Sequence, residues 1–339
     1  MQFYIKQIQV NQILHLNEFT ISLGDSPKHL LITGQNGSGK TQLIKAIAEH
    51  LQLVCNDKSA NRLNIENTIL SWKSAINDTT PEHQKRQYQQ AIKNLEDEKK
   101  LYFGKVVIEF NDPIAMTDAY GNNDFILAYY ETFRNPKFEE VHSIEKPDLT
   151  RPNDLSHNKV GQFLKFLADN KVQAALARNE GNYQDAENIN NWFNSFQDVL
   201  RNLFGDSKLE LDFDYTDYSF YINSFGKKFK FTQLSAGYAA ALDIVADMIL
   251  RMQKPGSLVR AYDKPGIVLI DEPETHLHLA LQRQIMPILA KLFPNVQFIV
   301  ATHSPFILSS LPNAIAYDLE HSEELTDLTE YSYGALAES

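Results

Sequence analysis

The run Leu30-Leu31-Ile32-Thr33 passes without a break into Gly34-Gln35-Asn36-Gly37-Ser38-Gly39-Lys40-Thr41, and Gln42 to Leu53 then read as a helix. A glycine, four residues and then Gly-Lys-Thr, set between a strand and a helix, is the pattern of a phosphate-binding P-loop. Each residue type has a physical reason. Glycines let successive backbone N–H groups close around a triphosphate, and the helix N-terminus adds partial positive charge. On this reading Asn36, Gly37, Ser38, Gly39, Lys40 and Thr41 line a nucleotide, with Lys40 reaching the β- and γ-phosphates and Thr41 a ligand of Mg²⁺. Taken alone, the motif also admits a glycine-rich turn with an incidental Lys-Thr.

Two later strands narrow the choice. Gly266 to Ile270 is continuously apolar and ends in Asp271-Glu272-Pro273, as in a strand buried on both faces of a parallel sheet. Asp271 then stands where α/β sheets place ligands. It is expected to hold the Mg²⁺ shell while Glu272 polarises the attacking water. Val296 to Thr302 delivers His303-Ser304-Pro305 in the same way, and the His303 imidazole is placed to bond a γ-phosphate and steady Glu272 or the water. Between these halves lies Leu234-Ser235-Ala236-Gly237, followed by a helix with Leu242, Val245, Ile249 and Met252 at three- or four-residue spacing. Ser235 reads as a natural N-cap and Gly237 permits close backbone approach, so a simply capped helix is one reading of this loop.

Composition bounds the class. The chain has 339 residues, 43% of them hydrophobic and 22% charged, enough for one large or two closely joined globular domains. No apolar run approaches the roughly eighteen residues of a membrane span, and the N-terminus lacks a signal-peptide core. A single cysteine, Cys55, excludes an intrachain disulfide and fits a reducing cytoplasm. A net charge of −11 argues against a uniformly basic nucleic-acid binder but leaves room for a local basic groove.

The expected organisation is an N-terminal portion of strands and P-loop over 1–55, helical insertions with intervening strands over 56–204, a second half of the nucleotide domain over 205–310, and a tail over 311–339. Early strands are read at Phe3 to Val10, Phe19 to Leu23 and His29 to Thr33. From about Asn56 to Lys100 the chain is polar and helix-prone, with Tyr88, Ile92 and Leu95 at helical spacing. A solvated helical hairpin and a partner- or DNA-contacting arm both fit that stretch. Strands follow at Lys105 to Phe110 and Phe125 to Tyr130, then a loop section, Asn135 to Asn158, with room for one more strand. Helices are expected over Gly161 to Ala177 and Asp185 to Phe204, the latter stopped by Gly205. Alternation over Lys208 to Phe213, Tyr218 to Phe225 and Lys227 to Phe231 predicts a β-meander turning at Gly226.

Together these motifs resemble the ABC ATPase head of the RecF, Rad50 and SMC superfamily. The string Asp271-Glu272-Pro273-Glu274-Thr275-His276-Leu277-His278, with Ala301-Thr302-His303-Ser304-Pro305 after the next strand, is similar to the overcoming-lysogenization-defect ATPases and to the stand-alone ATPases of Septu and retron antiphage systems. The resemblance implies an α/β fold with a P-loop parallel core sheet, an N-terminal antiparallel β subdomain and helical insertions. It implies ATP and Mg²⁺ as ligands, a homodimer or an assembly of dimers with ATP between two heads, and Ser235 and Gly237 serving the nucleotide held by the partner's P-loop. A separate effector nuclease is the implied output; a RecF-like DNA clamp is the rival, and direct nucleic-acid binding stays open. His278 stands where transporters have Asp, and His276 with His278 reads as a dimer contact or a metal pair. No glutamine occupies the expected Q-loop position near Tyr129 to Arg134.

Overall fold

The computed structural model describes residues 2–56, 62–77, 80–150, 152, 154–253 and 262–325. Its centre is a sheet of β3 (His29–Thr33), β5 (Ile126–Tyr130), β9 (Gly266–Asp271), β10 (Val296–Ala301), β11 (Ala314–Asp318) and β12 (Glu323–Leu325), in the order β12-β11-β3-β10-β9-β5. All pairs are parallel except β11 with β12. The C-terminal ends of five strands therefore open on one edge. β11 falls inside the segment read as a tail and lies directly beside the P-loop strand.

Alternation along these strands feeds two cores. Ile267, Leu269, Ile299 and Ala301 face α1 (Lys40–Asn56) and an antiparallel sheet of β1 (Ile5–Ile13), β2 (Leu16–Ser22) and β4 (Val106–Phe110). Val268, Ile270, Phe298 and Val300 face α5 (Phe163–Asn179), α6 (Tyr183–Phe204), α7 (Ala236–Met252) and α8 (Leu279–Leu292). Strands covered on both sides explain the unbroken apolar runs. A polar residue in such a strand needs partners. The fully buried Gln297 has them: its amide accepts from Ile5 N at 2.7 Å and donates to Lys28 O at 2.6 Å, tying the antiparallel sheet to the central one.

The polar stretch after α1 forms a hairpin of α2 (Arg62–Ala75) and α3 (Glu82–Phe103) with a small core of its own around Ile69, Ile92 and Phe103. A short helix missed in the sequence, α4 (Pro113–Gly121), starts at Asp112, whose side chain accepts from Ala115 N at 3.0 Å. The meander is β6 (Glu210–Asp214), β7 (Ser219–Ser224) and β8 (Lys227–Lys230), turning at Gly226 with φ +73°. Two readings need correction. No described residue of 135–158 is in a strand; its carbonyls are taken instead by single contacts, Leu155 O from Tyr129 N and His157 O from the Arg251 guanidinium. The first strand also begins later and ends later than Phe3 to Val10, since pairing with β2 carries it to Ile13. The end of the segment read as a tail, residues 326–339, lies outside the described residues.

From Ala240 to Leu250 helix α7 is buried on every side, and it carries Asp243 and Asp247, 2% and 0% exposed. Asp247 accepts from the Tyr130 hydroxyl at 2.7 Å, Lys159 N at 2.8 Å and Arg251 Nε at 2.6 Å. Asp243 has no such set, and burial first, then Asp247 one turn away, push it up to about 7. An acid whose folded value lies above its unfolded one keeps its proton longer in the native state, so it costs stability as pH rises from about 4 to about 7. Asp243→Asn should remove that slope. Between pH 5 and pH 7 the wild type should lose about 2 kcal/mol more than the variant in urea unfolding; equal losses would show that Asp243 ionises freely.

Candidate active site

The P-loop joins β3 to α1 at the shared edge of the central sheet. Gly34, Gly37 and Gly39 adopt φ of +139°, +85° and +98°, which a side chain resists. Lys40 is the first residue of α1 and 5% exposed, and its ammonium donates to Gly34 O at 2.8 Å and Gln35 O at 3.0 Å. Burial lowers its pKa; Glu272, Asp271, Glu274 and Asp318 oppose that by their charge. Asn36, Gly37 and Thr41 are exposed at the mouth of the loop. His15, from the β1–β2 turn, lies 3.1 Å from Ser38 O and was not foreseen in the sequence.

Asp271 ends β9 at 1% exposure. Its Oδ2 accepts from the Thr132 hydroxyl at 2.8 Å, whereas Oδ1 is buried with no partner among the described residues. Glu272 follows at φ +47°, a left-handed conformation costing a non-glycine residue about 1–3 kcal/mol. Its N–H donates to Ala301 O at 2.8 Å, which holds it there. The His303 Nε2 lies 3.3 Å from Glu272 Oε1. Burial first, then the charges of Glu274 and Asp271, raise Glu272 above the usual glutamate value. Burial and then Lys40 lower His303, so its ring is mostly neutral at pH 7.

The loop after β5, where a Q-loop glutamine was sought, instead supplies Thr132 and Arg134. The Arg134 guanidinium donates to Glu131 O at 3.0 Å and Asp271 O at 3.2 Å, with longer contacts of 3.4 Å to Glu272 O and Pro273 O. A short hydroxyl and an arginine thus reach the Asp271–Pro273 turn from outside the strand.

The structure gathers Lys40, Asp271, Glu272 and His303, but it packs the Leu234–Gly237 loop elsewhere in the chain. Ser235 occupies the N-cap position of α7 without a side-chain cap bond, so its hydroxyl is not serving the helix. A Cβ on Gly237 would lie 2.8 Å from His276 O, which gives this glycine a packing reason of its own. Tyr238 stacks on Phe204 and meets the His278 ring edge-on at 5.7 Å. His278 Nδ1 accepts from Leu281 N at 3.3 Å and caps α8. Among the described residues the group with metal-ligand spacing is Asp318, Glu320 and His321, so His276 and His278 form no such cluster.

Residues 30–309 match the family described as "AAA domain, putative AbiEii toxin, Type IV TA system". The chain is 25% identical over 340 residues to the Septu protein PtuA of Bacillus mycoides (strain KBAB4), covering 97% of this chain and 42% of that protein. It is 40% identical over 94 residues to the Retron Ec83 probable ATPase of Escherichia coli, covering 27% of this chain and 17% of that one. The chain thus spans less than half the length of these relatives. Among solved structures, the SMC head domain from Thermotoga maritima aligns with a TM-score of 0.40 and 15% identity over 92% of this chain and 94% of the other. No helix among the described residues is long and apolar enough to cross a membrane.

Proposed function

This chain belongs to the AAA-domain family that residues 30–309 match, and on that premise we propose that it is a Mg²⁺-dependent ATPase whose two heads close on ATP to gate a separate effector nuclease in antiphage defence. One observation carries the hydrolytic part: Glu272, held in a strained backbone at a parallel strand end, faces His303 at 3.3 Å beside the P-loop lysine.

The backbone N–H groups of Asn36 to Thr41 and the Lys40 ammonium bind the β- and γ-phosphates. The unpartnered Asp271 Oδ1 and the exposed Thr41 hydroxyl are hard oxygen donors suited to Mg²⁺. Bound there, the ion would supply charge neutralisation across the phosphate oxygens. Glu272 accepts a proton from the attacking water, and its raised pKa makes it a stronger base than an ordinary glutamate. His303, neutral near pH 7, offers an N–H to the γ-phosphate or to the Glu272 carboxylate. Thr132 orients Asp271.

Ser235 and Gly237 are assigned to the nucleotide held by the partner head, since Gly237 packs on His276 and Leu277 and the Ser235 side chain makes no cap bond to its own helix. The helical insertions within 56–204 and the segment after β11 are the surfaces assigned to reading head closure, because a ligand shifts an output only through a second molecule that binds the two states differently. The likeness to the Septu and retron relatives supports a defence role. The test is phosphate release by the purified chain with and without Mg²⁺, with mass measured in ATP and in its absence. Turnover, a doubled mass in ATP and recovery of a nuclease on co-purification with neighbouring-gene products support the proposal. ATP-stimulated, salt-dependent DNA binding without a protein partner would favour the clamp instead.

A further inference from the structure

We propose that Glu274 is a positioning residue for hydrolysis: its carboxylate fixes the Thr302–Ser304 turn and thereby holds His303 against Glu272. The inference rests on the ATPase reading for its kinetic arm and on geometry alone for the rest.

Glu272 and His303 leave neighbouring parallel strands, and the β9–β10 ladder ends at the pair Ala301 and Asp271. Past that pair one ladder-type bond remains, Glu272 N to Ala301 O at 2.8 Å, and it stops short of the Thr302–Ser304 turn. A single carboxylate oxygen reaches that turn from the Glu272 side. Glu274 Oε1 accepts from the Thr302 hydroxyl at 2.7 Å, His303 N at 2.7 Å and Ser304 N at 3.0 Å. Charge-assisted bonds of this kind are about twice as strong as neutral ones. Thr302 Oγ1 also accepts from Ser304 N at 2.9 Å, and the Ser304 hydroxyl donates to Gln282 Oε1 at 2.7 Å. Gln282 returns to the β9 side by donating to Leu277 O at 2.9 Å. The His303 turn is thus bolted at two points to the segment that carries Glu272.

The same geometry separates this role from direct chemistry. Oε1 already has three donors and no free lone pair for water. Oε2 is buried with no partner among the described residues, so a catalytic or metal-binding Glu274 would have to act through Oε2. Glutamine keeps one carbonyl acceptor for the turn but replaces the other oxygen with an amide nitrogen. The two roles therefore predict opposite results for one substitution.

Five proteins decide it: wild type, Glu274→Gln, Glu274→Ala, His303→Ala and the double variant Glu274→Ala with His303→Ala. Glu274→Gln should keep kcat within about 3-fold, because the acceptor survives without its charge. Glu274→Ala should lower kcat by about 100-fold at unchanged ATP affinity, the scale of a misplaced catalytic group. Added to His303→Ala, it should cost nothing further, since the two act through one element. An independent readout is the His303 imidazole cross-peak in the nucleotide-free protein, identified by its loss in His303→Ala. It should shift or broaden in Glu274→Ala and stay in place in Glu274→Gln. A dead Glu274→Gln, full additivity with His303→Ala, or an unmoved cross-peak in Glu274→Ala overturns the proposal. If the wild type fails to hydrolyse ATP, the ATPase reading falls while the cross-peak still decides the positioning role.

Discussion

Glu272→Gln should bind ATP as tightly as the wild type, lose turnover by about 100- to 10,000-fold and accumulate in the closed, ATP-bound dimer. The substitution keeps the shape of the side chain and the backbone bond from Glu272 N to Ala301 O, so the left-handed turn has no reason to relax. What it removes is the carboxylate that His303 faces at 3.3 Å. On the proposed reading nucleotide affinity rests instead on the P-loop amides and on Lys40, and a group that acts only in the transition state lowers kcat without changing binding. Lys40→Ala is the contrast: it removes a buried ammonium that the loop folds around and should weaken ATP binding itself. Fluorescent-nucleotide titration and single-turnover phosphate release separate the two. A Glu272→Gln protein that no longer binds ATP would make Glu272 part of the metal shell or the fold.

The positions gathered at the strand ends were legible in the sequence because each is announced locally. Glycines with a Lys-Thr mark the P-loop, and a continuous apolar run ending in a carboxylate marks a strand covered on both faces with its end open. Such signals need no knowledge of what lies across the fold. Thr132 and Arg134 had no comparable signal: Arg134 matters through carbonyls of residues 271–273, and backbone acceptors leave no trace in side-chain pattern. Glu274 was visible as part of a motif, but its task depends on β9 and β10 ending in register beside each other. β11 was hidden for a similar reason. Its five residues follow a turn after the last motif, and only pairing with β3 makes them part of the core. Asn135 to Asn158 misled in the opposite sense, because its apolar residues Phe138 and Val141 are buried from a loop rather than from a strand.

Ser235→Arg should leave the monomer folded and able to bind ATP but abolish dimerisation and turnover. If Ser235 worked as a helix cap, its loss would cost about 1 kcal/mol and nothing catalytic. Its side chain makes no cap bond to α7, however, so even that cost should be absent and the melting temperature should hold. On the proposed composite site, the damage instead comes from placing a long cation where the partner's nucleotide would fit. Composite sites make a sharper prediction for mixtures. In a heterodimer of Ser235→Arg with Lys40→Ala, one site combines an intact Lys40 with an intact Ser235, while the other carries both lesions. Neither variant closes with itself, so heterodimers can take up to all of the chains, and with one working site of two the activity should recover to at most about half of wild type. Neither variant alone should show any. Recovery at that level can arise only if the two loops meet across a dimer. Full activity from Ser235→Arg on its own, measured as phosphate release at a concentration where it stays monomeric, would reduce the loop to the start of a helix and remove the reason for a head-to-head assembly.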